Sequence, residues 1–279
     1  MPGARERFSA RLLGSLIAAL LLLAAAAGAA PREDIWQQRW TAHDPASVRQ
    51  IDHGEWQAFL ARYVRIAPDG VHRVAYGRVT AANRERLERY IASLASERLD
   101  LYARDEQLAY WINLYNALVV REVLDHYPLG SVRDIDDGAG PWHRGLVEID
   151  GIELSLHDIE RHILRPIWDD LRILYALSCG AVGCPDLRAE PYRGAVIDRQ
   201  LTRAAMTYIN DPRCILIESD RLIVSSLFRW HRQEFEDDDR RVISHLLAFA
   251  EPHLAMKLQD FDRISGEMFD WRLNDATLL

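Results

Sequence analysis

The stretch DEQLAYWINLYNALVVREVLDH, residues 105–126, constrains this fold more than any other. Its apolar residues surround nearly the whole helical wheel, where a surface helix would show a single stripe. Such a helix is enclosed by protein on all sides, so the rest of the chain must wrap it. Pro128 ends it, because proline cannot continue a helix and drives the residue before it out of helical geometry. Asn113 and Asn116 lie one turn apart on this helix. Buried amides need partners, so the two either pin neighbouring loops or line a polar pocket.

Around this centre the elements follow one another closely. Trp56, Phe59, Leu60 and Tyr63 repeat at helical spacing, residues 71–79 read as a strand, and 83–96 as an amphipathic helix. Asp150-Gly151 sits between two short strands in LVEIDGIELS as a two-residue hairpin turn. Ser155 caps a helix running through Arg165, with Asp158 at its third position. Residues 172–177 read as a buried strand, 213–219 and 221–226 as a strand pair, Leu227 to Phe235 as a helix, and further helices fall near 240–260. Helix and strand occur without regular βαβ alternation, which is the α+β class. We expect a helix-rich single domain with a small antiparallel or mixed sheet, covering residues 51–279 behind a polar leader at 30–50.

The first thirty residues are of another kind. Arg5, Arg7 and Arg11 precede the apolar run LLGSLIAALLLLAAAA, and Ala27-Gly28-Ala29 closes it as a cleavage site. This is the pattern of a secretory signal peptide over residues 1–29, so a periplasmic or secreted protein is expected, with no membrane attachment after cleavage. The formal net charge is −8, and removing three Arg and one Glu with the leader makes it −10. An acidic protein has no counterion release to drive nucleic-acid binding. We expect a small-molecule or peptide substrate as partner and no cofactor.

Export permits disulfides, and the three cysteines leave an odd one. Cys179 and Cys184 lie five positions apart in LSCGAVGCPDLR. Cys179 leaves an apolar run into Gly180, which suits a presented nucleophile. Cys184 precedes Pro185 and would cap a short helix over 185–190, with Asp186 opposing its thiolate. A disulfide between the two, a catalytic thiol and a metal knuckle all remain open, although no second Cys/His pair at ligand spacing accompanies them. Backbone N–H groups of 180–183 are candidate oxyanion donors. Cys214, among Ile215, Leu216 and Ile217, is expected to be buried and inert.

In SLHDIERHILR, Leu156, Ile159, Ile163 and Leu164 form an apolar stripe, and Glu160 falls in its middle. A carboxylate pointed at the core must be paired or must titrate upward, so Glu160 is either a structural ion-pair member or an active-site group. Asp158 and His162 share the outer face at i, i+4, while His157 stands at the stripe's edge. His231, in FRWHRQEF, is a candidate base by chain order alone.

Four segments, YWINLYNALVV, SLHDIERHILR, LYALSCGAVGCPDLR and FDWRLN, together resemble the family called domain of unknown function 547, in order and over about residues 55–277. The resemblance places the chain loosely near the papain-like and transglutaminase-like folds. It implies a thiol hydrolase or acyl-transfer site with Cys179 or Cys184 as nucleophile. It also puts functional weight on Asp158-Ile159-Glu160 and on Asn113 and Asn116. With Glu160 and His162 as further catalytic candidates, and Asp158 and Gly180 as binding ones, this is the expected site. Many members have a histidine directly after Asp-Ile-Glu; here Arg161 stands there and His162 follows one step later.

Overall fold

Every residue from Glu106 to Leu124 except Arg121 is buried, as the apolar wheel of this helix requires. The structure, a computed structural model, describes residues 39–276 apart from Ala139. The expected signal peptide lies outside the described residues. From Trp40 onward the chain forms one compact unit.

The order is α1 (Gly54–Tyr63), β1 (Val64–Ile66), β2 (His72–Val74), α2 (Ala81–Ala95), α3 (Arg104–His126), and the hairpin β3 (Val147–Ile149) and β4 (Ile152–Leu154). A π-helical segment, Asp158–Leu164, then runs into a single α turn, α4 (Arg165–Trp168). After the cysteine loop come α5 (Ile197–Ile209), β5 (Ile215–Glu218), β6 (Arg221–Ser225), α6 (Leu227–Trp230), α7 (Asp239–Phe249), α8 (Pro252–Leu258) and β7 (Gly266–Met268). β5 and β6 are antiparallel and β6 and β7 parallel, so this small sheet is mixed; β1–β2 and β3–β4 are separate antiparallel pairs. The class is α+β and helix-rich.

Local chemistry explains most boundaries. Thr80 caps α2 by accepting from the Asn83 N–H, and Leu87, Tyr90, Ile91 and Leu94 form its buried face against α3. Asp150 and Gly151 both take positive φ, 52° and 74°, as a tight two-residue hairpin turn demands. Glu106, in the first turn of α3, is buried and accepts from the Ile51 and Gly194 N–H groups at 2.8 and 3.1 Å. Only glycine fits at 194, since a Cβ there would stand 2.7 Å from the Glu106 backbone nitrogen. A second core joins α5, β5, β6 and α7 around Tyr175, Tyr208, Phe228, Phe235 and Leu246.

Four local expectations change. Residues 172–177 are not a strand: Leu171–Tyr175 is a 3-10 helix, capped where Asp170 accepts from the Arg172 N–H. A short apolar run looks alike in a buried strand and in a buried helical turn. The strand expected at 71–79 stops at Val74 and gives way to a 3-10 turn, Tyr76–Arg78. The helix expected from Leu227 to Phe235 breaks at His231 (φ −111°, ψ 24°) into α6 and a 3-10 turn. No helix forms over 185–190, so Cys184 has no helix dipole beside it.

Candidate functional site

Cys179 and Cys184 are joined in a disulfide, with Cα atoms 5.7 Å apart. The loop that carries them is held from three sides. From α3, Asn116 donates to the Ala176 carbonyl and accepts from the Ser178 N–H, both at 2.9 Å. From the C-terminal segment, the Arg272 and Asp270 carbonyls accept from the Val182 and Gly183 N–H groups at 2.8 Å, and the Asn274 N–H donates to the Gly180 carbonyl. From the far side, Arg213 donates to the Val182 carbonyl and pairs with Asp186 at 3.1 Å. Asp186 is thus an anchor for Arg213 rather than an opponent of a thiolate. The Val182 and Gly183 amides are committed within the protein, which removes them as oxyanion donors.

Gly180 turns the loop with φ +81°, and its open side faces Val119, Val123 and Val132. Cys184 is 1% exposed, while Cys179 is half-buried and reaches the cleft described below. Cys214 sits within the second core, fully buried, and burial pushes its thiol well above the usual range. That matches the expectation of an inert cysteine.

Asn113 makes the second clasp of α3. It exchanges two hydrogen bonds with the backbone of Tyr192, at 2.8 and 2.9 Å, and donates to His53 Nε2 at 3.2 Å. Neither asparagine lines the cleft. Both take the pinning alternative.

The Asp-Ile-Glu segment owes its geometry to the wide turn. Ser155 and Asp158 form a capping box: the Asp158 carboxylate accepts from the Ser155 N–H and hydroxyl, and the Asp158 N–H donates back to the Ser155 hydroxyl. Asp158 is therefore a cap and not a partner of His162. Further on, the Arg165 N–H bonds to the Glu160 carbonyl, an i→i+5 step. Single π turns of this sort concentrate at functional sites. The wider turn stacks i on i+5, so His162 comes beside His157, ring centroids 5.5 Å apart, with His143 on the other side of His157 at 4.6 Å. His157 lines the cleft; His162, the residue chosen from the sequence, stands behind it. Burial first, and then the neighbouring His143 and His162, hold the His157 imidazole below its usual range.

Glu160 is not sunk in the core. Its side chain is 18% exposed, lines the cleft, and meets His231 Nε2 at 3.3 Å. His231 is 5% exposed. Its Nδ1 lies 2.8 Å from the Arg165 guanidinium and 3.5 Å from Glu234. Arginine can only donate, and its contact is the shorter, so Nδ1 accepts and Nε2 carries the proton that faces Glu160. Arg161, where the resemblance leads to the expectation of a histidine, pairs with Glu234 at 2.9 Å and donates to the Trp230 carbonyl at 2.7 Å. It latches the turn that holds His231. Burial alone would raise the Glu234 carboxyl, but its charged and hydrogen-bonding neighbours, the Arg165 guanidinium among them, bring it below the ordinary carboxylate range.

These groups meet in a cleft of about 690 Å³. The disulfide, Glu160 and His157 line it, and Trp142, Trp230, Phe269 and Trp271 make its aromatic side. The aromatic wall and His143 escaped sequence reasoning; the closing FDWRLND was the available signal for Phe269 and Trp271. Among the described residues no cluster of three or more His, Cys, Asp or Glu side chains is arranged to hold a metal, and no helix is long and apolar enough to cross a membrane.

No curated protein and no solved structure matches the chain. Residues 99–209, which include α3, the π-helical segment, the cysteine loop and α5, match the family model described as "Protein of unknown function, DUF547", and so carry the resemblance first seen in the asparagine and cysteine motifs.

Proposed function

We propose that this chain is an exported thiol-dependent hydrolase or acyl-transfer enzyme for an amide, peptide or thioester-type substrate. Cys179 is its nucleophile, and the disulfide with Cys184 is its stored state. What carries the reading is that the more open cysteine, Cys179, shares one cleft with His157 and Glu160.

A dithiol reductant opens the bond by exchange: its thiolate attacks one sulfur, and it leaves as its own disulfide while two protein thiols are formed. His157, neutral at neutral pH, takes the Cys179 proton. The negative charge of Glu160 acts on His157 in the opposite sense to burial, favouring the imidazolium that this transfer creates. The thiolate attacks the acyl carbon, and the leaving group departs with the proton from His157. Water or another acceptor then cleaves the thioester. His231 fixes the Glu160 carboxylate in this scheme.

The test is hydrolysis of an activated thioester or anilide before and after reduction. Activity is expected only after reduction, and none in Cys179→Ser. His157→Ala should lose about 100-fold or more. Cys184→Ser should be active without any reductant. A folded Cys184→Ser protein with no activity, or a stoichiometric disulfide that persists through turnover, would overturn the proposal.

A second reading is favoured by one observation, the three-sided clamp on the loop with its Val182 and Gly183 amides already bonded. There the disulfide is a staple in a binding protein. Reduction would then remove roughly 2 kcal/mol of stability and bring no activity.

A further inference from the structure

Among the described residues three arginines line the cleft, and two of them are spoken for. Arg161 pairs with Glu234 and bonds the Trp230 carbonyl. Arg229 pairs with Glu267 at 2.8 Å. Arg133 differs: among the described residues its guanidinium makes no ion pair, and it lies over the face of Trp271, 5.3 Å from the ring centroid. In a chain of net charge −8, this uncompensated cation at the cleft is not part of a general positive surface.

The contact with Trp271 places the Arg133 guanidinium at the aromatic wall. Among the described residues its side-chain N–H groups make no hydrogen bond, so they are available to a planar, two-oxygen acceptor. Beside it, Trp271, Phe269 and Trp230 form one continuous apolar surface, with centroids 4.6, 4.7 and 5.3 Å apart pairwise. The two features are joined at Trp271, which carries the arginine and belongs to the wall.

We infer that Arg133 and Trp271 select acyl or peptidyl substrates that carry a free carboxylate next to a large apolar or aromatic group. The carboxylate sits on the Arg133 fork, and the apolar group lies on the Phe269 and Trp230 rings. This substrate class rests on the cleft being the site proposed above, but its recognition needs neither a free thiol nor turnover.

The experiment uses the full chain with its disulfide intact. N-acetyl-phenylalanine and its uncharged primary amide are titrated in parallel by calorimetry. The acid should bind about fivefold to tenfold more tightly at low salt, and the ratio should shrink at about 0.5 M salt, because Arg133 is exposed and screened. Arg133→Ala should bring the ratio to about one, and Arg133→Lys should restore part of it. Trp271→Leu should weaken both probes. Equal binding of the two probes by the wild type, no binding of either, or a preference that survives Arg133→Ala would each overturn the inference. If reduction brings no turnover while the preference stands, only the thiol reading falls. If turnover appears without the preference, only the substrate class falls.

Discussion

Two pairs of largely buried polar residues, Asn113 with Asn116 and Glu160 with His231, differ in what they bond. The asparagines spend their donors and acceptors on main-chain groups of Tyr192, Ala176 and Ser178, and on His53. They stand in for the backbone partners that the flanks of the cysteine loop would find in a sheet. Glu160 has a single side-chain partner among the described residues, His231, and the rest of its carboxylate faces the cleft. A buried polar group saturated by backbone is architecture. One held by a single side chain and open to a cavity keeps capacity for a substrate.

The comparison can be broken most directly at Asn116. Asn116→Ala would leave the Ala176 carbonyl and the Ser178 N–H unsatisfied, each costing about 1–3 kcal/mol. We expect a total loss of roughly 4 kcal/mol in denaturant unfolding. A loss under about 1 kcal/mol would mean that water replaces the clasp and that the residue is not architectural.

His53 tests the same side of the comparison through pH. Its Nε2 accepts from Asn113, so its Nδ1–H donates to the Tyr90 hydroxyl at 2.7 Å, and no site remains for a second proton. Burial first, with a further contribution from Arg193, lowers its pKa to about 4. Above pH 6.5 the group is neutral both folded and unfolded and contributes no pH dependence. As pH falls from 6.5 towards 4 the unfolded chain binds a proton that the native state refuses. Stability should therefore drop by about 3 kcal/mol from this residue. His245, also lowered to about 4 by burial, adds a similar slope. The slope of unfolding free energy against pH should be visibly shallower in His53→Gln. An unchanged slope would show that His53 protonates freely in the folded state.

At Glu160 the expected stability effect is the smallest. Full burial of an ionised pair would make Glu160→Ala cost about 3–5 kcal/mol. With its side chain 18% exposed to the cleft, water can take its place, and we expect about 1 kcal/mol. Glu160→Gln should leave the unfolding midpoint nearly unchanged while lowering turnover by reduced protein about 100-fold. If the midpoint falls as far as in Asn116→Ala, Glu160 belongs with the asparagines.

The sequence by itself determined whatever short-range physics decides. The all-apolar wheel dictated a buried α3, the spacing of Leu87, Tyr90, Ile91 and Leu94 dictated α2, Asp150-Gly151 the hairpin, and Ser155 with Asp158 the capping box. The same residues pointed to an inert Cys214, and left open whether the asparagines pin loops or line a pocket and whether Glu160 is a structural ion-pair member or an active-site group. Only the tertiary structure decided their partners. Asn116 bonds groups about 60 residues away, Asn113 groups 79 away, and Glu160 meets a histidine that a break between two short helices places beside it. The choice of 3-10 helix over strand at Leu171–Tyr175, and the wide turn that sets His157 rather than His162 in the cleft, belong here too. The reason is physical: periodicity, caps and turn residues act within a few positions of the chain. Ion pairs and hydrogen bonds across the core depend on which elements pack together, and no local pattern encodes that choice.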